Sequence, residues 1–383
     1  MRPGFRGSVA VVAGLLVFGA VMFYQPSRPR AKAAAVALGR STALTTAPGA
    51  LDDVIARTRV RVAADPGDGD AAVLLADALM RSARVRSEAA LALEAERVLR
   101  ATLRHDPGDY SALRMLGAVF LSQHRFAEAL AAARHCERVR PADAWNHAVA
   151  GDALLELGRY EEAFDAFDRV MQLRPDAAAY ARVAYAREIR GDFEGAIDLM
   201  QMAADGTGSH DPEAQAWAHA QLGTLYLHEG QLDDAAREFA RAEFTFPSHP
   251  YARSGRVRLL IARSQFREAL ALVETSPQTP ETAATRGDLL AELGDSRGAE
   301  AAYEEAERLE REGWQQEEPQ PGTLARFLAE RGRKVSEAVR LAETAAAGRQ
   351  DIHTLDALAW SYFRAGRIAD ASTAIAEATR TKT

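Results

Sequence analysis

The sequence predicts an all-α fold, a superhelical solenoid of antiparallel helical hairpins behind one apolar helix at the amino terminus. Three observations carry that expectation. Alanines at 129, 163, 196, 235, 269, 299, 338 and 371 mark a short recurring signature, and their spacings of 34, 33, 39, 34, 30, 39 and 33 residues are those of stacked helical hairpins. Between glycine and proline punctuation the apolar residues recur with a period near 3.6, not 2, so the elements are helices. Val9–Tyr24 is a run of 16 residues without a charge.

That run spans roughly 24 Å as a helix, a little short of the ~30 Å core of a bilayer, and Ser8 with a small mismatch closes the gap. Arg2 and Arg6 precede it, and Gln25-Pro26-Ser27-Arg28-Pro29-Arg30 follows. A cleaved signal peptide needs small residues just past the apolar run. Pro26, Arg28 and Arg30 stand there instead, and the first Ala-rich site (Ala31, Ala33–Ala35) comes late. No cysteine follows to carry a lipid. Residues 1–24 are therefore expected to form an uncleaved single-pass anchor in a bacterial inner membrane, with secretion after cleavage as the alternative. Positive charge is nearly balanced across the run, and the short amino-terminal tail favours placing the body outside the cytoplasm. Residues 25–50, rich in Ala, Pro, Ser and Thr, read as a linker.

Residues 51–383 read as the solenoid, about nine hairpins, clearest at 110–175 and 216–249. Gly158, Gly191, Gly230, Gly294 and Gly366 fall where a first helix needs a left-handed residue to end it. Pro107, Pro141, Pro175 and Pro247 stop second helices. Asp211-Pro212-Glu213 is a helix start, with Asp as cap and Pro in the first turn. Gly117, Gly151 and Gly223 sit inside first helices, where glycine costs about 1 kcal/mol against alanine. Close approach of the paired helix is the expected compensation. Two units, Arg125-Phe126-Ala127-Glu128-Ala129 and Gln265-Phe266-Arg267-Glu268-Ala269, lack the turn glycine. A looser unit begins near 69, with its second helix near 88–105. The unit near 319–350 has a poor first helix, and 204–212 and 311–322 are insertions.

These units resemble tetratricopeptide repeats. One reads Leu113-x2-Leu116-Gly117-x2-Phe120, then Ala129 and Pro141. Another reads His219-x2-Leu222-Gly223-x2-Tyr226, then Ala235-x3-Phe239 and Pro247. A third reads Ala150-Gly151-x2-Leu154, then Ala163-x3-Phe167 and Pro175. The large aromatic that usually opens the motif is replaced by His147, His219 and Leu355. The resemblance implies a right-handed superhelix and a role in protein–protein contact: a scaffold holding a peptide or protein partner in a concave groove, or an accessory subunit of an envelope enzyme or export machine. Members that grip a carboxyl-terminal peptide use Lys, Asn and Arg on successive first helices. The corresponding positions here hold Arg114, Asp152, Arg182, Gln221 and Arg258, so that clamp is not supported.

The remaining patterns narrow the function by exclusion. Net charge is −7 and the isoelectric point about 5.8, so no broad basic face invites nucleic acid. Lysine occurs only at 32, 334 and 382 against 44 arginines, a composition associated with high-GC bacterial genomes. The single cysteine, Cys136, excludes an internal disulfide and reads as a small core residue. Ser209-His210-Asp211 holds triad residue types, but adjacent residues cannot form a nucleophile–base relay. Gly206-Thr207-Gly208 lacks the Gly-Lys-Ser/Thr of a phosphate loop. His219 and His228 lie half a turn out of phase and cannot chelate one ion. Residues 281–318 carry twelve carboxylates against four arginines, a solvated face or a site for a basic partner. No catalytic residue, metal, cofactor or small-molecule substrate is expected.

Helical phase supplies the candidate binding residues. Measured from the internal small residue of each first helix at 100° per residue, Trp145, Tyr185, Trp217, Tyr251 and Trp360 share one stripe. Arg182, Gln221 and Arg258 flank it. Trp, Tyr and Arg dominate interface hot spots. The stripe is either the aromatic floor of a peptide groove or a set of rings filling gaps between hairpins.

Overall fold

The computed structural model describes residues 48–86, 88–208, 211–314 and 319–381. The expected apolar helix at Val9–Tyr24, and with it the anchor, lies outside the described residues. Among the described residues there are nineteen α-helices and no strand, and no helix is long and apolar enough to cross a membrane.

Helix α1 (Pro48–Ala64) lies against the first of nine hairpins. These are α2 (Gly69–Arg86) with α3 (Ala89–His105), α4 (Tyr110–Ser122) with α5 (Phe126–Val139), α6 (Ala144–Glu156) with α7 (Tyr160–Leu173), and α8 (Ala177–Ile189) with α9 (Phe193–Gly206). They continue as α10 (Pro212–His228) with α11 (Leu232–Thr245), α12 (Pro250–Ala262) with α13 (Phe266–Glu274), and α14 (Pro280–Glu292) with α15 (Ser296–Gly313). The last two are α16 (Pro321–Glu330) with α17 (Val335–Gly348) and α18 (Ile352–Arg364) with α19 (Ile368–Ala378). The core is a chain of clusters between neighbours and not one globular centre.

Local chemistry sets these boundaries. The five expected turn glycines have φ between 72° and 87°, and Gly332 joins them at 65°. In the two units without glycine, His124 (φ 59°) and Ser264 (φ 58°) take the left-handed place. The carboxylates of Asp109, Asp143, Asp211, Asp295 and Asp351 accept first-turn N–H groups and start α4, α6, α10, α15 and α18. Inside the hairpins, a Cβ on Gly151 would stand 2.5 Å from the Phe167 ring. Phe239 is clasped from both sides: a Cβ would come within 2.8 Å of its ring at Gly223 and 2.2 Å at Gly255. Close approach of the ring therefore accounts for Gly151 and Gly223, whereas a Cβ on Gly117 would meet Val149 of the next hairpin at 3.3 Å. The unit near 319–350 departs from expectation, because α16 is a complete short helix that buries Leu324, Ala325, Leu328 and Ala329.

The two 39-residue spacings come from a longer helix and a longer connection in each. Helix α10 has 17 residues where α6 and α8 have 13. Helix α15 has 18 where α7 has 14. The added turn of α10 carries Glu213 across the array to α2. There Arg84 donates from Nε to Oε1 at 2.7 Å and from Nη2 to Oε2 at 2.5 Å, all of it buried. Arg81 donates to Asp211 beside it at 3.3 Å. A second seam joins the third hairpin to the ninth. The Ile352 N–H donates to the Tyr160 hydroxyl at 2.7 Å. Arg380 Nη2 donates to the Gly158 carbonyl at 2.8 Å. A Cβ at Gly158 would stand 2.4 Å from the Gln350 carbonyl oxygen. The solenoid thus curls until distant hairpins touch.

Candidate functional site

The second seam borders a cavity of about 760 Å³. One wall is the α4–α5 turn, His124 to Glu128, with Glu156 and Leu157 at the end of α6. The opposite wall comes from the starts of α14 and α18, the end of α17, and much of α16. Phe126, Leu157, Pro280, Pro321, Leu324, Phe327 and several alanines make it chiefly apolar. The volume is that of a site for a small ligand or a few side chains.

Arg349 organises the seam side of the cavity. Its Nε donates to Asp351 at 2.7 Å, its Nη2 donates to Glu156 at 3.4 Å, and its guanidinium lies 4.9 Å from the Phe126 ring centre. The two carboxyls respond oppositely. Burial works against the Asp351 carboxylate, but the charge and hydrogen bond of Arg349, with the Thr354 hydroxyl, outweigh it and hold Asp351 below the ordinary range. Burial pushes Glu156 up to about 8, and Arg349 offsets only part of that. Burial, then the charge of Arg349, lowers His124 to about 4. Burial likewise lowers His353 to about 4. At neutral pH Glu156 is protonated and both histidines are neutral, so this wall suits an apolar occupant.

The other cavity arginines are engaged. Arg125 bonds Glu96 and Glu128, Arg326 bonds Glu330, and Arg331 bonds Asp288 while lying 4.8 Å from the Phe327 ring centre. Tyr303 donates to the same Asp288 at 2.9 Å. Much of the acidic stretch 281–318 is spent in such pairs, with Glu300 on Arg333 and Glu307 on Arg311 and Lys334.

The aromatic stripe is not one open floor. Trp145, Tyr185 and Trp217 are 7%, 8% and 0% exposed and belong to two separate core clusters. Tyr251 is half-buried against His249, and Trp360 is half-buried beside Phe363 at 5.4 Å. Arg182 is buried, with Nε and Nη2 donating to Asp152 at 3.0–3.1 Å. Gln221 is buried, and Arg258 Nη2 donates to the Thr224 hydroxyl at 3.1 Å. Packing between neighbouring hairpins encloses Trp145, Tyr185, Trp217 and Arg182. Cys136 is 1% exposed, and burial raises its thiol to about 11. His219 and His228 bond Glu238 and Glu188 separately. Asp211 caps α10, while Ser209 and His210 lie outside the described residues. Sequence reasoning missed Glu156, Arg349, Asp351 and Phe327, which line or border the cavity; Arg349 reaches Asp351 locally but meets Glu156 only through a contact between distant hairpins.

Comparisons with known proteins agree with this architecture. The family model for the tetratricopeptide repeat matches residues 92–142, 149–212 and 220–281. Mouse tetratricopeptide repeat protein 36 is 33% identical over 95 residues, which is 24% of this chain and 50% of that protein. A Fanconi-associated nuclease 1 homolog from Pseudomonas aeruginosa is 31% identical over 176 residues, 43% of this chain and 30% of that protein. The chain thus spans half or less of the length of these relatives. A human IFIT1 dimer with m7Gppp-AAAA superposes with a TM-score of 0.57 at 14% identity, covering 88% of this chain and 77% of that one. That likeness is one of fold. The segments that the family model matches fold as stacked hairpins of the tetratricopeptide kind, and the all-helical array of which they form part is tetratricopeptide-like.

Proposed function

We propose that the chain is a membrane-tethered interaction scaffold that holds an apolar stretch of a peptide or protein partner in the cavity beside the second seam. Tetratricopeptide proteins generally mediate contacts between proteins, which supplies the class. The observation that supports the site is the cavity, apolar and flanked by a protonated Glu156 and two neutral histidines. Its arginines Arg125, Arg326, Arg331 and Arg349 each already meet a carboxylate, so phosphates of a nucleic acid would find no uncommitted cation among them. A second reading, an accessory subunit that positions a separate envelope enzyme or export machine, uses the same surface. Catalysis by this chain itself is disfavoured, since hairpins occupy residues 69–378 and leave no room there for another domain.

The tether rests on Val9–Tyr24. Alkaline phosphatase fused after Thr383 is expected to be active, and the protein to resist carbonate extraction. An inactive but expressed fusion reverses the orientation, and a soluble form beginning near Ala34 means a cleaved signal. For the cavity, a photo-crosslinker at position 327 should capture a partner in cells, and Ala284→Trp should abolish that capture with an unchanged melting temperature. Capture that persists in Ala284→Trp puts the partner elsewhere.

A further inference from the structure

The outer faces of the first and last described helices differ. A stacked-hairpin solenoid needs a polar outer face at each end to stay soluble. At the amino-terminal end α1 provides one: Leu51, Val54 and Ile55 are buried, while Asp52, Asp53, Arg57, Arg59 and Arg61 face solvent around a single exposed Val60. At the other end α19 presents Ile368, Ser372, Ile375, Ala376 and Thr379 on one helical face without a charge. Ile368 is 58% exposed and Ile375 41%, and Phe363, near the end of α18 in the same hairpin, is 52% exposed. Three of the eight large exposed apolar side chains among the described residues therefore lie on this one hairpin.

The repeat register says what such a face is built for. Ile375 stands four residues after the marker Ala371. The residues at that place in earlier hairpins, Phe167, Met200, Phe239 and Val273, are 2%, 3%, 0% and 5% exposed. Phe239 shows how that burial arises, since its ring packs between Gly223 of its own hairpin and Gly255 of the next. The uncovered face continues an interface that the array has already repeated, and a helix fits it.

We propose that a second copy of this chain covers this face, α19 against α19 across a two-fold axis. An uncharged apolar strip is complementary to itself and needs no partner of opposite sign. Head-to-tail stacking would instead press Ile368 and Ile375 onto the charged outer face of α1. The association therefore closes at two copies and does not grow into a filament. Helices α18 and α19 are about 20 and 16 Å long, which makes an end face of about 400 Å². The roughly 800 Å² buried by two such faces lies below the size of standard stable interfaces, so the dimer is weak and reversible.

Sedimentation velocity on the full chain in mild detergent tests this across a hundredfold range of concentration. Wild type should pass from monomer to dimer in the micromolar range, and Ile368→Asp with Ile375→Asp should stay monomeric with unchanged helix content. Should that pair lose helix, Ser372→Arg on the same exposed face carries the same test. Ser372→Cys should form an interchain disulfide under mild oxidation, lost when Ile368→Asp is added. A wild type monomeric throughout without that crosslink overturns the proposal. So does a dimer that survives Ile368→Asp with Ile375→Asp or Ser372→Arg.

Discussion

Asp152, Thr224 and Asp288 occupy one place in three hairpins, and they do different chemistry there. Each follows the glycine against which the ring of the paired helix packs: Gly151 with Phe167, Gly223 with Phe239, Gly287 with Tyr303. Each accepts from an arginine of the following first helix or its end: Arg182, Arg258 and Arg331 in turn. Two of these arginines meet a carboxylate. Arg258 meets only a hydroxyl, and no carboxylate stands within ion-pair distance of it among the described residues. Burial lowers the pKa of Arg258, with Glu281 and Glu188 offsetting part of that from further away. Repeat position thus dictates that an arginine reaches across, while the single residue after the glycine decides whether its charge is met.

The largest expected effect breaks the met pair. Asp152→Ala leaves the Arg182 guanidinium buried without its partner, at a cost of about 3–5 kcal/mol. Asp152→Leu combined with Arg182→Met should recover most of that, because an apolar pair of similar volume replaces both charges. Thr224→Val should cost less, about 1.5–3 kcal/mol, one hydrogen bond from a charged donor to a neutral acceptor. Urea midpoints of the three variants decide it, and equal losses for Asp152→Ala and Thr224→Val would end the distinction. Of similar size is Trp217→Ala, expected to cost about 3–5 kcal/mol because the ring is fully enclosed. Partner binding per folded molecule should not change. A stable Trp217→Ala protein that binds less would restore the aromatic stripe as a groove.

Next is the glycine itself. Gly255→Ala places a methyl into the Phe239 ring from the following hairpin, and should cost about 1–3 kcal/mol. Phe239→Leu in the same chain should return part of it, since a smaller side chain leaves room. A loss with no such coupling would point to backbone strain instead of close packing. In the opposite direction, Thr224→Asp supplies a carboxylate to an arginine that is already buried, and should raise the melting temperature. A lower melting temperature would mean that the new desolvation cost exceeds the pairing.

Much of this was legible in the chain because it is local. The marker alanines, the turn glycines and the Asp caps each act within a few residues, and the helices begin and end beside them. His124 and Ser264 took the left-handed place because the turn demands it whatever residue stands there. The phase of Trp145, Tyr185 and Trp217 was also computable, but phase gives a direction and not an exposure. What closed those rings in was packing against the hairpins on either side, a three-dimensional contact that no window of sequence contains. Arg349 and Glu156, 193 residues apart, meet only because the array curls, and carried no signal of their meeting.

The second seam repeats the contrast between met and unmet charge in a form that pH can read. Asp351 and Glu156 share Arg349, but Asp351 also accepts the N–H groups of His353 and Thr354, whereas Glu156 lies at 3.4 Å from the guanidinium. Glu156 titrates near 8 in the folded chain against 4.5 for the ordinary group. Between those values the folded state holds a proton that the unfolded state has released, so stability from this group falls as pH rises. His124 and His353 titrate near 4 against 6.5. The unfolded state takes up those two protons first, so their contribution falls as pH drops from 6.5 towards 4. Below pH 6.5 two histidines outweigh one carboxyl, and above it Glu156 acts alone. For these three groups stability should therefore peak near pH 6.5. Urea unfolding midpoints measured from pH 5 to 8.5 should rise and then fall. Glu156→Gln should flatten the alkaline limb and leave the acid limb in place, whereas an alkaline limb that survives the substitution would assign it to some other group.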